Sequence, residues 1–380
     1  MPKKSVLLFA SILIINTYFI PMVYSESLVN ESKDIDLSSL DYTIDASNFV
    51  YVDDDAEPGW YDSTHVRTIR EGIENASHYD TVFVYCGTYN ESIIIFKKIN
   101  LIGEKKEFTT IDGGERGNVV SILIDGVKIE GFKIINSNKK LLEIEDNSGI
   151  YINSNNCNIS NNLIEENING ITIYGGENNA IYNNTFSKNK YRKIILFGSG
   201  IYVFQGKNNS IIKNSFYDNP AGMGISNSQD NIIEKNFLNR CGNGIELYGN
   251  YDDTAEEIKG NIVRKNTFIS NRHGLIMSNS LSNKVYQNIF RENIRGAHVS
   301  DSLNNEIYDN NFILNIIPAS FDADKLIHIK NRWDGNYWNR PRILPKVITG
   351  TFTTLIPGIG LIPIPLFNLD KNPAKNPYDI

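Results

Sequence analysis

Residues 209–223 read NSIIKNSFYDNPAGM and residues 231–245 read NIIEKNFLNRCGNGI. Laid over each other at a shift of 22 residues, they place Asn214 on Asn236, Ile211 on Ile233, Phe216 on Leu238 and Gly222 on Gly244. The anchoring asparagine recurs as Asn162, Asn184, Asn266, Asn288 and Asn310, and every gap in the series is 22 or 30 residues. A fixed period carrying two eight-residue insertions marks a repeat architecture.

The positions around the anchor form columns. Three residues before it stand Ile159, Ile181, Ile211, Ile233, Val263, Val285 and Ile307. Two after it stand Ile164, Phe186, Phe216, Leu238, Phe268, Phe290 and Phe312. Five after comes asparagine, with Cys241 in its place once, and eight after usually comes glycine, with Gly200 displaced by an insertion and Pro318 in the last repeat. Short alternating strands separated by Asn or Gly turns cannot bury an apolar face singly, but stacked coils can. Asparagine suits the corners because it tolerates left-handed backbone angles. The expected fold is therefore all-β: a right-handed parallel β-helix, a solenoid of rungs of about 22 residues.

The flanks fit that plan. Lys3 and Lys4, the apolar stretch Ser5 to Ile20, and Val23-Tyr24-Ser25 read as a signal peptide over residues 1–25. An acidic, flexible lead is expected over 26–48, and the solenoid over 49–380. Within it, 49–100 supplies the N-terminal cap and first strands, 101–324 the rungs, and 325–380 an irregular C-terminal cap. Ile69, Ile73 and Ala76 lie at helical spacing, which predicts a short capping helix over Thr68 to Ala76. The apolar run Val347 to Phe367 has the length of a membrane span, but glycines and prolines break it, and it is read as part of the cap.

Losing the leader removes two lysines and no acid, so 37 basic residues become 35 against 44 acidic, a net charge of −9. That balance argues against a nucleic-acid partner. Six N-x-S/T sequons, at Asn30, Asn75, Asn90, Asn158, Asn183 and Asn208, fit an exported glycoprotein. Cys157 and Cys241 fall three rungs apart, roughly 14 Å at strand spacing, too far for a disulfide. With Cys86 they read as small packed residues.

The opening TIREGIENASHYDTVFVYCGTYNESI, the rung N-x-I-x-x-N-x-F-x-x-N-x-x-G-I and the closing NRWDGNYWNRPR resemble the NosD-like family of right-handed β-helix proteins, especially its exported archaeal versions. The resemblance runs over roughly residues 49 to 380. It implies a pectin-lyase-like fold and, through the family's best-known member, a role in maturing a copper site in a periplasmic reductase. The wider group also includes carbohydrate-binding proteins, lyases and hydrolases, and fold does not choose among them. Copper rests on the resemblance alone. Met223 and Met277, the two methionines beyond the leader, sit in apolar columns, and no histidines are spaced i, i+2. No metal site or cofactor is expected from the residues.

A candidate face follows from strand alternation. One and three residues after the glycine come apolar pairs such as Ile171 and Ile173, which point inward. Two and four after it must then face out, placing Tyr151, Tyr174, Tyr202, Phe204 and Tyr248 on one sheet face. Aromatic rings in a row suit the apolar faces of sugar rings; the same residues also suit a packed strand surface beneath a loop. Insertions at 137–148, 190–197 and 249–260 would wall the face. Glu246 and His298 share one column two rungs apart, and Asp252, Asp253, Glu256 and Glu257 lie on the last insertion, with His273 and Arg295 nearby. Three functions follow: a surface protein that binds a polysaccharide or cell-envelope glycan, a polysaccharide lyase or glycoside hydrolase using Glu246, His298, Asp252 or Asp253, and a copper-site accessory protein.

Overall fold

Each rung gives one strand to each of three parallel sheets in a computed structural model that describes residues 48–138, 147–190, 198–249, 258–324, 330–356 and 360–380. The expected leader and all but Asn48 of the acidic lead fall outside those residues, as do Asp252, Asp253, Glu256 and Glu257 and most of the three insertions. One rung runs through Asn169–Tyr174, Ala180–Tyr182 and Thr185–Ser187, and the next through Ser199–Phe204, Ser210–Ile212 and Ser215–Tyr217. Ile171 pairs with Ile201, Ile181 with Ile211 and Phe186 with Phe216, all in parallel register. The chain is a right-handed parallel β-helix, and we refer to its three sides as the glycine, isoleucine and phenylalanine sheets.

The interior is the set of columns. Phe186, Phe216, Phe268, Phe290 and Phe312 are fully buried. Their rings stack face to face, with centroids 4.8 Å apart for Phe186 and Phe216 and 4.6 Å for Phe268 and Phe290. Trp338 closes the stack 4.5 Å from Phe312. The glycine column exists because the glycine sheet passes close over these rings. A Cβ on Gly170 would stand 2.4 Å from the Gly200 carbonyl oxygen and 2.7 Å from a Phe186 ring carbon.

Asparagine ladders run along the corners. The Asn162 backbone N–H donates to Asn184 Oδ1 at 3.0 Å, Asn184 to Asn214 at 2.9 Å, and Asn214 to Asn236 at 2.9 Å. The side-chain amide of Asn214 donates to the Ile181 and Ile212 carbonyls at 2.8 and 3.1 Å. A second ladder holds Asn167, Asn189 and Asn219, and a third runs from Asn179 through Asn209, Asn231, Asn261, Asn283 and Asn305 to Asn331. The left-handed corner falls one residue before the ladder position. The ladder asparagines are not left-handed; the residue just before them is, an asparagine at Asn161, Asn183 and Asn208 but also Lys213 at φ 56°, Lys235 at 56° and Gln287 at 53°. Asparagine holds the corner for its side chain, an acceptor and donor that satisfies buried backbone groups across rungs.

The ends are closed differently. A helix over Ile69–Asn75 begins at Thr68, whose hydroxyl accepts the Glu71 N–H while Glu71 reaches back to the Thr68 N–H. This capping box satisfies two orphan donors at the helix start, and Ile69 and Ile73 are buried beneath the helix. The C-terminal cap is built around a hairpin, with irregular segments on either side of it. Lys346–Ile356 and Gly360–Asp370 form an antiparallel hairpin, and its first strand continues the glycine sheet through Phe321↔Gly350. Pro363 and Pro365 sit opposite Thr353 and Thr351; prolines are tolerated there because this is an edge strand. No helix among the described residues is long and apolar enough to cross a membrane.

Candidate functional site

The outer face of the glycine sheet carries three columns. Inward residues alternate with them as expected: Ile201, Val203, Ile245, Leu247, Leu275 and Met277 are fully buried. The first outer column runs Asn169, Ser199, Ala221, Asn243, His273, Arg295. The second runs Tyr151, Thr172, Tyr202, Gly224, Glu246, Ile276, His298, Ser320. The third runs Tyr174, Phe204, Ser226, Tyr248, Ser278, Ser300, Asp322.

The aromatic row is half-covered, which corrects the expectation of a fully exposed face. Tyr174, Tyr202, Phe204 and Tyr248 are each half-buried, and Tyr151 is buried, with 7% of its surface exposed. Neighbouring rings shield one another: Tyr174 and Phe204 lie 5.2 Å apart, tilted by 32°. Tyr151 lies between the small Ser121 and Thr172 of the adjoining rungs, which leave room for its ring against the sheet. It is therefore not part of an open row. Tyr202 and Tyr248 approach each other over Gly224, where a Cβ would meet Tyr202 ring carbons at 3.2 and 3.7 Å and a Tyr248 ring carbon at 3.9 Å. Burial first, then Tyr202, pushes the Tyr248 phenol well above its usual range.

Polar groups follow on the next rungs. The Asn243 side-chain amide donates to Glu246 Oε1, and the Asn243 Oδ1 faces His273 Nδ1 at 2.7 Å. Because an amide oxygen only accepts, His273 Nδ1 carries the proton. Burial raises the Glu246 carboxyl above the ordinary carboxylate range. Burial, then Arg295, Arg272 and His298, hold the His273 imidazole down to about 4. A raised acid and a depressed base, joined through one amide, are the kind of pair that enzyme sites use, though structural networks make them too.

His298 is separate from Glu246. It occupies the same column two rungs on, as the register predicts, but bonds elsewhere. Its Nδ1 lies 2.9 Å from Ser320 Oγ and its Nε2 3.2 Å from Asp322 Oδ2. The hydrogen bond with His298, set against partial burial, holds the Asp322 carboxyl low, and Thr351 adds a hydroxyl bond to Asp322 at 2.7 Å. Asn243, Ser320 and Asp322 are additions to the sequence reading. Counting the column one step past Pro318 finds both Ser320 and Asp322.

Residues 197–343 match the family described as periplasmic copper-binding protein (NosD), and residues 116–263 match the right handed beta helix region. Over those residues the chain resembles these families, in keeping with its right-handed β-helix fold. No curated protein matches the sequence. Among solved structures, the Azotobacter vinelandii mannuronan C-5 epimerase AlgE6 A-module is similar at a TM-score of 0.52 and 14% identity, covering 74% of this chain and 82% of its own. The Dettilon tailspike protein gp208 gives 0.54 and 14%, over 83% and 73%. The GH136 lacto-N-biosidase of Eubacterium ramulus gives 0.51 and 12%, over 72% and 64%. These likenesses are of fold.

The NosD description names copper, so the donors matter. Soft thioether and thiolate ligands with imidazole suit copper. Met223 and Met277 are fully buried in interior columns, and Cys157 and Cys241 are buried and unpaired. His273 and His298 are engaged with Asn243 and with Ser320 and Asp322. Among the described residues the only group of three or more acidic, histidine or cysteine ligands within reach of one ion is Asp53, Asp54 and Asp55. That all-carboxylate set suits a hard cation. The donor set of the described rungs within residues 197–343 does not fit a copper ion, and no chemistry is derived through one.

Proposed function

We propose that this is an exported surface protein that binds a polysaccharide or cell-envelope glycan along the outer face of its glycine sheet. The observation that carries the reading is the half-covered aromatic group on adjacent rungs: Tyr174 against Phe204, and Tyr202 and Tyr248 closing over Gly224. Rungs repeat at about 4.8 Å, so a row of rings spans a length of about one sugar per rung. Tyrosine supplies an apolar body and a polar tip, matching a pyranose face edged by hydroxyls. The acidic balance and the NosD family's periplasmic description support an exported setting.

The test is a glycan-array screen followed by calorimetry on residues 26–380. Replacing Tyr174 and Phe204 together by alanine is expected to weaken binding at least about tenfold, the loss of roughly 1.4 kcal/mol of ring contact. Unchanged affinity in that double variant would end the reading. A second reading, a polysaccharide lyase or glycoside hydrolase acting on the same face, draws on the raised Glu246 carboxyl, a group suited to donate a proton. Product release from a polysaccharide panel that stops in Glu246→Gln would favour it over simple binding.

A further inference from the structure

We propose that Ser320, His298 and Asp322 form a nucleophilic site that cleaves carboxylic esters. The three side chains come from two neighbouring strands of the glycine sheet, Arg295–Ser300 and Ile317–Ala323. Ser320 is paired directly with His298, and Asp322 stands two residues on, so strand alternation turns both toward the same outer face. Asp322 is ionised and can only accept, which puts the proton on His298 Nε2 and leaves the Nδ1 lone pair toward the Ser320 hydroxyl at 2.9 Å. A nucleophile within hydrogen-bond reach of a base, with the base oriented by a third group, is the general requirement for an activated serine. Here the two ring nitrogens exchange the roles they have in the familiar protease arrangement, which the imidazole permits because either nitrogen can take the proton.

The surroundings select the substrate. His298, Ser320 and Thr349 occupy consecutive strands in parallel register, so the backbone N–H groups on this face serve the sheet. The charge that develops on a carbonyl oxygen must then be met by a side chain. Arg295 lies three residues before His298 on the same strand and beside Ile317 of the next, and it is the cationic side chain that we assign to that role. A site without a backbone oxyanion hole favours an activated acyl group, an ester, over an amide. In the reaction Ser320 Oγ bonds to the carbonyl carbon while its proton passes to His298 Nδ1. The intermediate collapses with departure of the alcohol, which takes that proton. Water attacks the acyl-serine, giving its proton to the same nitrogen, and Ser320 recovers it as the carboxylic acid leaves.

This inference goes beyond the glycan reading and stands without it, since its readout needs no glycan. The full chain is treated with a fluorophosphonate, then intact mass and peptide mapping locate any adduct, and turnover of p-nitrophenyl acetate is followed in parallel. A single adduct on Ser320 is expected in the folded protein, none in Ser320→Ala, and labelling slowed by about tenfold or more in Asp322→Asn and in His298→Gln. Ester turnover is expected to fall in step. His298→Gln keeps a side chain able to hydrogen-bond, so its melting temperature reports whether the rung is intact. An unlabelled Ser320 in the folded protein, or labelling as fast in a folded His298→Gln variant, overturns the proposal.

Discussion

Asp370 Oδ2 accepts the Asn336 backbone N–H at 2.9 Å, the bond that each earlier asparagine of that ladder receives from its predecessor. The same oxygen accepts the Trp338 indole N–H at 2.9 Å and the Asn336 side-chain amide at 3.1 Å. The hairpin thus returns a carboxylate to the place where the next rung's asparagine would stand, and Asp370 is fully buried there. Asp370→Ala leaves the Asn336 backbone N–H and the Trp338 indole N–H without an acceptor in a buried site, while the Asn336 side-chain amide keeps the Ile307 and Asp334 carbonyls. The change should destabilise the C-terminal rungs by about 3–5 kcal/mol, while Asp370→Asn, which keeps an acceptor, should lose less than half of that. Denaturant midpoints of the two variants check this.

The phenylalanine stack and the outer row should respond differently to truncation. Phe268→Ala empties a fully buried position and should cost about 3–5 kcal/mol. Phe204→Ala removes a half-buried ring and should cost about 1 kcal/mol. Equal losses in urea titrations would mean that the two side chains exchange faces.

His273 gives the stability a pH dependence. Its folded value is about 4 and its unfolded value 6.5, so the unfolded chain binds more protons between these limits. Stability from this group is complete above about pH 6.5 and declines as the pH falls toward 4. Because the ring is half-exposed, solvent screening reduces the effect, and the wild-type protein should lose about 1–2 kcal/mol relative to His273→Gln across that window. Glu246, whose raised carboxyl acts in the opposite sense, is common to both proteins and cancels in the comparison.

Gly224 separates binding from stability. An added Cβ would meet the Tyr202 ring at 3.2 Å, a contact that requires the ring to shift by a few tenths of an ångström. Gly224→Ala should cost less than about 1 kcal/mol of stability, since the tight contact is with half-buried rings on the outer face and not with backbone or core. If Tyr202 and Tyr248 grip a glycan, the same change should weaken binding several-fold by calorimetry.

The solenoid was legible because identity at a fixed period reports stacking: the phenylalanine, isoleucine and asparagine columns are all in register where the count puts them. Exposure was harder to read, because it depends on how each ring leans on neighbours in other rungs, as Tyr151 and Tyr202 do. Asparagine does hold left-handed corners, as at Asn161, Asn183 and Asn208, but one residue before the ladder, and lysine and glutamine stand there too once the ladder fixes the turn. The hairpin was hidden because proline and glycine read as breakers, and only the edge position of Gly360–Asp370 makes them compatible with a strand. Ser320 and Asp322 lay one rung beyond the last glycine, where Pro318 ended the count.

The asparagine ladder keeps its length whatever the chain does between rungs. Its N–H to Oδ1 bond is 3.0 Å across 22 residues at Asn162–Asn184, 2.9 Å across 30 at Asn184–Asn214 and 3.1 Å across 26 at Asn310–Asn336. Loop length is therefore invisible to the scaffold, and closing a longer loop adds only a few tenths of a kcal/mol. Surface segments can be lengthened, exchanged or deleted between strands without retuning the core. The protein is in that sense a rack with interchangeable fittings, on which new specificities can be tried one rung at a time.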